Sequence, residues 1–371
     1  MYDIIVFAHL YKPHIGGLEK YVENFYKNQP KKKVLVITSW YDKKTLSREV
    51  DQNIEIQRID TWEMVRGKYY IPSFKGLKQI ISILKANKSS EVHTHTRFYF
   101  TNFIATLLSQ KYHQKHYHFE HGASFVKDDT VIVRMIAWIF DHTLSGYILR
   151  HSKKVFPVSD GVREFLQRHF FHLNLGATIY NSYPFVGESF KQKSKPKNLK
   201  LLSVGRIIRS KGIYEIVDAC TLLKESNISF TLTMIGDGSE MENLKRLIKD
   251  NGLERYITLK GLLPFEETQA EFHKYDIFLN PSYTEGLPTT VLEGLANSLF
   301  VVATDVGGTR EIIPQEKLIP LENLSGKSIK DMVVEIYDGW EKEGKDYIKI
   351  YKNARYKFSW TRNVKKFEES K

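Results

Sequence analysis

Short apolar runs alternating with stretches of helical spacing, in two successive series, constrain this chain's fold more than any other feature. The first series is "YDIIVFAHL" from Tyr2, "KVLVITS" from Lys33, "IEIQRI" from Ile54, "EVHTH" from Glu91, "HYHFEHG" from His116, "KVFPVS" from Lys154 and "ATIYNS" from Ala177. The second is "KLLSVGR", "FTLTMIGDG", "YITLKG", "DIFLNPS" and "LFVVATDVGG", each followed by a stretch that can coil as a helix. A strand that reads as a continuous apolar run is buried on both faces, and helices between strands supply the cover. Each half is therefore expected to be an α/β, parallel, doubly wound sheet, giving two Rossmann-like halves that face one another.

With 371 residues the chain exceeds what one core usually supports, so two domains are expected. Between them "KQKSKPKNLK", Lys191 to Lys200, loses apolar periodicity and reads as a linker. The expected division is 1–188, 189–355 and a tail, 356–371, whose "YKFSWTRNVKKFEESK" reads as an amphipathic helix packing back on the first domain. Ser239 and Glu242 have the spacing of a capping box, which starts a helix after "GDG".

The net charge of +12 is unevenly spread. Residues 1–190 carry 26 Lys and Arg against 17 Asp and Glu, a net of +9; residues 191–371 carry 29 against 26, a net of +3. A basic first half suits nucleic acid, an anionic membrane surface or a phosphorylated substrate, and equally a lysine-rich surface that only keeps the chain soluble. The single cysteine, Cys220, leaves no intramolecular disulfide, and no basic-then-apolar signal segment precedes the first strand. A cytoplasmic location is expected. The longest apolar run, Val131 to Phe140, is about half of what spans a bilayer and contains Arg134.

In open parallel sheets, ligands bind at the carboxyl ends of strands. Three loops there carry chemistry. "KPHIGGLEK" places Gly16 and Gly17 before a helix, where backbone can approach a phosphate, but it lacks the G-x-G-x-x-G of a dinucleotide fold. "SVGRIIRSKG" places Arg206 and Lys211 past a strand end, where two cations can converge on a diphosphate. "NPSYTEGLPTTVLEGLANS" places Glu285 in a turn and Glu293 on the following helix, with Pro288 suited to the first helical position. Glu293 then lies roughly 7 Å along the helix axis from Pro288. Carboxylates accept several hydrogen bonds and can grip sugar hydroxyls, while the helix N-terminus favours an anion. Taken alone, Glu285 reads as a loop charge and Glu293 as a helix-surface glutamate, whereas Arg206 and Lys211 stand out as a functional pair because the second half is nearly balanced in charge.

Taken together, the double glycine, Arg206, Lys211, the Glu-seven-residue-Glu spacing of "EGLPTTVLE" and "VVATDVGGTREII" closely resemble the retaining glycosyltransferases of family 4, which have the GT-B fold. The resemblance covers most of the chain and is strongest from Leu201 to Ile313. It implies a nucleotide-sugar donor held in the second domain, in a cleft between the two. Arg206 and Lys211 would contact the diphosphate, Glu285 the transferred sugar and Glu293 the ribose. Gly16 and Gly17 would close over the phosphates, and "KGLLP" around Leu262 would meet the base through backbone groups. Pro288 lacks an N–H, so backbone contacts to the donor fall to its neighbours Gly286, Leu287 and Thr289. Family members usually carry Gly-x-Pro where this chain has Ser298, Leu299 and Phe300.

His121, in "FEHGAS", matches a position where many members carry a histidine near the anomeric centre, and would be a catalytic residue beside Glu285, Arg206 and Lys211. The nearby His93, His95, His113, His116 and His118 raise a metal cluster as an alternative. His93 and His95, like His116 and His118, lie two apart on strand-like runs, with no cysteine and no H-E-x-x-H, which argues against zinc. The resemblance likewise implies no metal and no cofactor.

The reaction so implied transfers a glycosyl group from a nucleoside diphosphate sugar to a hydroxyl of a glycan or lipid-linked acceptor, with retention, in cell-surface polysaccharide or glycolipid synthesis. A GT-B epimerase or phosphorylase, or a noncatalytic sugar-nucleotide-binding subunit, stands as the alternative. The basic first domain and the apolar helix Ile132 to Phe140, with Trp138, suit peripheral docking on the inner face of an anionic membrane. Nucleic acid is not an expected partner, because no known binding module or basic-aromatic motif is present.

Overall fold

The computed structural model describes the chain except for Ile15, Arg66, Lys68, residues 126–130, Val186 and Asn227, and except for the side chains of residues 131–134 and 136. It divides into two units, Met1–Asn181 with Trp360–Lys371, and Ser182–Ser359.

The first unit holds strands β1 (Ile4–Phe7), β2 (Val34–Ser39), β3 (Arg48–Asp51), β4 (Ile54–Ile59), β5 (Thr61–Val65), β6 (Tyr69–Pro72), β7 (Glu91–His95), β8 (His116–Glu120) and β9 (Lys154–Pro157). The main sheet runs β3-β4-β2-β1-β7-β8-β9. Every pairing is parallel except β3 against β4. Successive residues of β1 and β2 feed different cores, as the two-residue period of a strand requires. Ile4, Val6, Val34 and Val36 join the helix Gly17–Lys27 through Tyr21, Phe25 and Tyr26. Ile5, Phe7, Leu35 and Ile37 instead pack with Ile80, Leu84 and Ala105 on the opposite face. The order of chain progression reverses between β1 and β7, which is the switch point of this sheet.

The C-terminal helix Trp360–Ser370 belongs to this unit. Its Trp360 and Phe367 enter the first core, and the Phe367 ring lies 5.5 Å from Phe25 and 5.3 Å from Phe119. Full burial of one such ring is worth about 1.5–3 kcal/mol. The helix starts at Trp360 rather than at 356, because the preceding helix runs on through Trp340–Lys357.

The second unit holds β10 (Leu199–Val204), β11 (Phe230–Ile235), β12 (Ile257–Leu259), β13 (Ile277–Asn280) and β14 (Phe300–Ala303). All pairings are parallel in the order β12-β11-β10-β13-β14, with the switch point between β10 and β13.

Four local expectations are corrected. "ATIYNS" is not a strand: the isolated bridge, Val155 to Leu175, falls just before it, and single bonds such as Ile179 N to Pro157 O at 2.9 Å tie the segment itself to the end of β9. The lysine-rich stretch is not a free linker but is bonded along the second unit. Lys191 N donates to Ser298 Oγ at 2.9 Å, Trp340 Nε1 donates to Lys193 O at 2.8 Å, and the adjacent Phe190 packs against Phe300 and Tyr347. The chain passes between units at Asn181 and Ser182. Ser239 caps nothing, since the helix Met241–Asp250 has Glu240 at its N-cap with no side-chain bond; a capping box forms instead at Ser325 and Ser328. Pro288 is the N-cap of the helix Thr289–Ala296 rather than its first residue.

Candidate active site

The carboxyl ends of β10 and β13 flank the switch point of the second unit, and their loops are stitched together. Tyr283 N donates to Ser210 O at 2.9 Å. Gly212 has φ +66 and packs so closely that a Cβ there would lie 2.0 Å from Pro281 O, which only glycine tolerates. Gly307, with φ +53, does the same for the loop after β14: a Cβ would lie 2.0 Å from Glu285 O, and Gly308 N donates to Gly286 O at 2.7 Å. The turn "SYTEG" is thus clamped from both sides by backbone.

On this platform Lys211 Nζ meets Glu285 Oε1 at 2.6 Å. Ser282 Oγ donates to the same oxygen at 2.7 Å, and Asn280 Nδ2 approaches it at 3.4 Å. A mostly buried carboxylate fixed by a cation and a hydroxyl is preorganised, so less conformational entropy is lost when a ligand arrives. Arg206 lies at the end of β10 with its side chain exposed, and it makes no side-chain hydrogen bond or ion pair with any described residue. The structure therefore joins Lys211 to Glu285 and leaves Arg206 as an unengaged cation on the adjoining loop.

Glu293 is buried, and Gln269 Nε2 donates to its Oε2 at 2.8 Å; the Tyr183 hydroxyl in turn bonds Gln269 Oε1. Leu287 is buried, whereas Gly286 and Thr289 are partly exposed at the start of the helix. Leu262 is exposed. Its loop touches the others through Gly236 N, which donates to Gly261 O at 2.8 Å, while Ile207 N donates to Asp237 O at 2.9 Å. The loops after β10, β11 and β12 thus form one continuous rim. Asn280, Ser282 and Gln269 escaped the sequence reading. The "NPS" at the end of β13 was the available signal, because small polar groups three and five residues before a loop glutamate are placed to hold it.

In the first unit Gly16 is the N-cap of Gly17–Lys27. A Cβ on Gly16 would lie 2.3 Å from Glu19 Oε2, so a carboxylate already occupies that helix start. Glu19 Oε1 lies 3.1 Å from His14 Nδ1, and this bond raises the His14 pKa. Ile15, within this loop, lies outside the described residues. His121 follows β8 directly. It is partly exposed, its ring stands edge-on to Tyr21 at 4.8 Å, and its Nε2 lies 3.1 Å from His95 Nδ1. Burial lowers its pKa to about 3 against the opposing charge of Glu120.

The other histidines do not converge on a point. His93 and His95 face the helix Gly17–Lys27, where Tyr26 OH lies 2.8 Å from His93 Nδ1 and 3.0 Å from His95 Nε2. His116 and His118 point to the opposite face and share Thr94 Oγ1, at 2.8 Å each. Among the described residues no group of three His, Cys, Asp or Glu side chains is placed to hold a metal ion.

Residues 187–355 match the family Glycosyl transferases group 1, and residues 15–182 match Glycosyltransferase Family 4. An uncharacterized glycosyltransferase, MJ1069 of Methanocaldococcus jannaschii, is 27% identical over 94% of this chain and 97% of its own. The amylovoran biosynthesis glycosyltransferase AmsK of Erwinia amylovora is 37% identical over a shorter stretch, 31% of this chain and 30% of its own. Among solved structures, Anabaena HepE in complex with UDP-glucose superposes with a TM-score of 0.76 at 14% identity, covering 100% of this chain and 99% of that one. The fold is GT-B, two Rossmann-like units, and with both halves matched the chain belongs to the glycosyltransferases of family 4.

Proposed function

We propose that this glycosyltransferase moves a sugar from a nucleoside diphosphate sugar to a hydroxyl of a glycan or lipid-linked acceptor, with retention, in cell-surface polysaccharide synthesis. The observation that carries this reading is the Lys211–Glu285 pair at the switch point of the second unit, beside the unengaged Arg206. Lys211 and Arg206 would neutralise the diphosphate, Glu285 would hold hydroxyls of the sugar and Glu293 those of the ribose. Gly286, Leu287 and Thr289 would offer backbone groups, with Leu262 near the base. As the glycosidic bond breaks, negative charge builds on the departing diphosphate, where the two cations stabilise it. The diphosphate takes the acceptor's proton on the face it leaves. For His121, Gly16 and Gly17 of the first unit, a part in donor handling is assigned on the family resemblance alone. No metal or cofactor enters this scheme. HepE with UDP-glucose supports the donor class, and the amylovoran enzyme supports the pathway class.

A screen of UDP-, GDP- and ADP-sugars by thermal unfolding tests the donor. A ligand bound only by the native state at a hundred times its Kd stabilises by about 2.7 kcal/mol, and one nucleotide should stand out. No shift with any of them would overturn the reading.

The acceptor side includes an anionic membrane. Among the described residues no helix is long and apolar enough to cross a bilayer. The helix Val131–Phe140 nevertheless exposes Met135, Trp138 and Ile139; the side chains of Ile132 and its neighbours lie outside the described residues. The β5 strand exposes Trp62, Met64 and Val65, and a chain of ring contacts, Tyr69 to Phe98 at 5.8 Å and Phe98 to Phe140 at 5.0 Å, links its hairpin to that helix. Apolar groups on a basic unit suit peripheral docking at the inner, cytoplasmic leaflet. Vesicle co-sedimentation should rise with the fraction of acidic lipid, by about 1 kcal/mol per engaged Lys or Arg; binding indifferent to acidic lipid removes this part.

A further inference from the structure

A line of buried polar groups in the first unit leads to His121 from the opposite end of the sheet. Lys371 Nζ lies 3.0 Å from Glu91 Oε2, and the same oxygen lies 3.5 Å from Nε2 of His93, a charge contact rather than a hydrogen bond, since that buried nitrogen has no hydrogen-bond partner among the described residues. His93 Nδ1 meets Tyr26 OH at 2.8 Å, Tyr26 OH meets His95 Nε2 at 3.0 Å, and His95 Nδ1 meets His121 Nε2 at 3.1 Å. Tyr26, His93 and His95 are wholly buried. The remaining ring nitrogen of His121, Nδ1, has no hydrogen-bond partner among the described residues.

Each bond in this line needs one hydrogen, so the direction of one fixes the direction of all. The direction is set at Glu91. Burial alone would raise its pKa, but the neighbouring His93 and Lys371 outweigh this and hold it below the usual carboxylate value, so it is ionised at neutral pH. Beside an ionised carboxylate, a neutral imidazole turns its N–H rather than its lone pair. His93 therefore carries its proton on Nε2 and leaves Nδ1 bare, to accept from the Tyr26 hydroxyl. Tyr26 oxygen then accepts from His95 Nε2–H, and bare His95 Nδ1 accepts from His121 Nε2–H. All three rings stay neutral, because burial lowers the pKa of His93, His95 and His121.

We propose that His93, Tyr26 and His95 are positioning residues that lock His121 as its Nε2–H tautomer, so that Nδ1 offers a lone pair to a hydroxyl of the bound sugar. The final step rests on the donor reading above; the tautomer does not. Neutral imidazole in free exchange divides between two tautomers, and only one accepts through Nδ1. A relay reaching from Glu91 through the core removes the wrong one before substrate arrives.

The test is nitrogen NMR of the substrate-free protein labelled with 15N-histidine, with His121 identified among the 13 histidines by comparison with His121→Gln. Wild type should show protonated Nε2 and bare Nδ1 at His121. Tyr26→Phe, which deletes one hydroxyl, should shift His121 toward a mixture and lower kcat/KM by about tenfold, the effect of one hydrogen bond. Nδ1–H in wild type, or an unaltered His121 in a folded Tyr26→Phe, overturns the relay. If Tyr26→Phe does not fold, the wild-type spectrum alone decides. His121→Ala with undiminished transfer would instead overturn the role of His121 in the site and leave the relay standing.

Discussion

Arg206→Ala should lower turnover by on the order of a hundredfold, the usual cost of removing one donor aimed at charge that develops in a transition state. The unfolding temperature should not move, because the Arg206 side chain is exposed and engages no described residue, and surface substitutions of that kind stay within about 0.5 kcal/mol. Lys211→Ala should cost at least as much activity and some stability as well, since it strips the cation from a mostly buried Glu285 and leaves that carboxylate to Ser282 and Asn280. The contrast separates a catalytic cation from one that only holds the loop together. Steady-state transfer rates and thermal unfolding of both variants provide the check. Wild-type turnover from Arg206→Ala would sink its assignment to the diphosphate, and loss of activity in Lys211→Ala only in proportion to lost stability would reduce Lys211 to a loop clamp.

The sheets were largely legible because their strands are buried on both faces and so appear as unbroken apolar runs; Ile4–Phe7, Val34–Ser39 and Ile277–Asn280 needed no further signal. Where that condition fails, so does the reading. Arg48–Asp51 is an antiparallel edge strand with alternating exposure, and Thr61–Val65 is an exposed hairpin arm, so neither carries an apolar run. "ATIYNS" has the run but lies along β9 with only scattered bonds, a matter of neighbours rather than of composition. The polar stretch after Lys191 looked free because its composition says nothing of the carbonyls and the serine that receive it. In the site, Glu285 and Lys211 stood out as charges at strand ends. Their pairing is a contact across 74 residues that spacing cannot show. The histidines were visible one by one, yet the line through Tyr26 depends on a helix packing its hydroxyl between two strand residues, which only the register and the packing together create.

The largest loss of stability should come from a residue outside the site. Arg97 is nearly inaccessible, and its guanidinium reaches two carboxylates that are themselves buried: Nη1 lies 3.0 Å from Glu120 Oε1, and Nε lies 2.9 Å from Asp141 Oδ1. It also donates through Nη2 to Ser124 O at 2.9 Å. Replacing Arg97 with Met keeps the bulk but strands both acids without a counter-charge, which typically costs about 3–5 kcal/mol. For a unit of this size, that corresponds to a drop in melting temperature of roughly 10 °C. Burial alone would raise the pKa of Glu120, but Arg97, His118 and the Gly122 N–H outweigh it and hold the group at about 2, below its ordinary value of 4.5. A carboxylate with a depressed folded-state pKa contributes stability above its unfolded pKa and loses it as the pH falls toward the folded value. Wild type should therefore weaken between about pH 4.5 and pH 2 through this group, while in Arg97→Met the Glu120 pKa rises and acid no longer removes what the variant has already lost. Adding Glu120→Gln to Arg97→Met takes away one of the two unpaired charges and should recover part of the deficit. Unfolding monitored across this pH range in the single and double variants decides the matter: a double variant no more stable than Arg97→Met, with the acid slope of wild type, would show that the pair is not what holds β8 to the residues after β7.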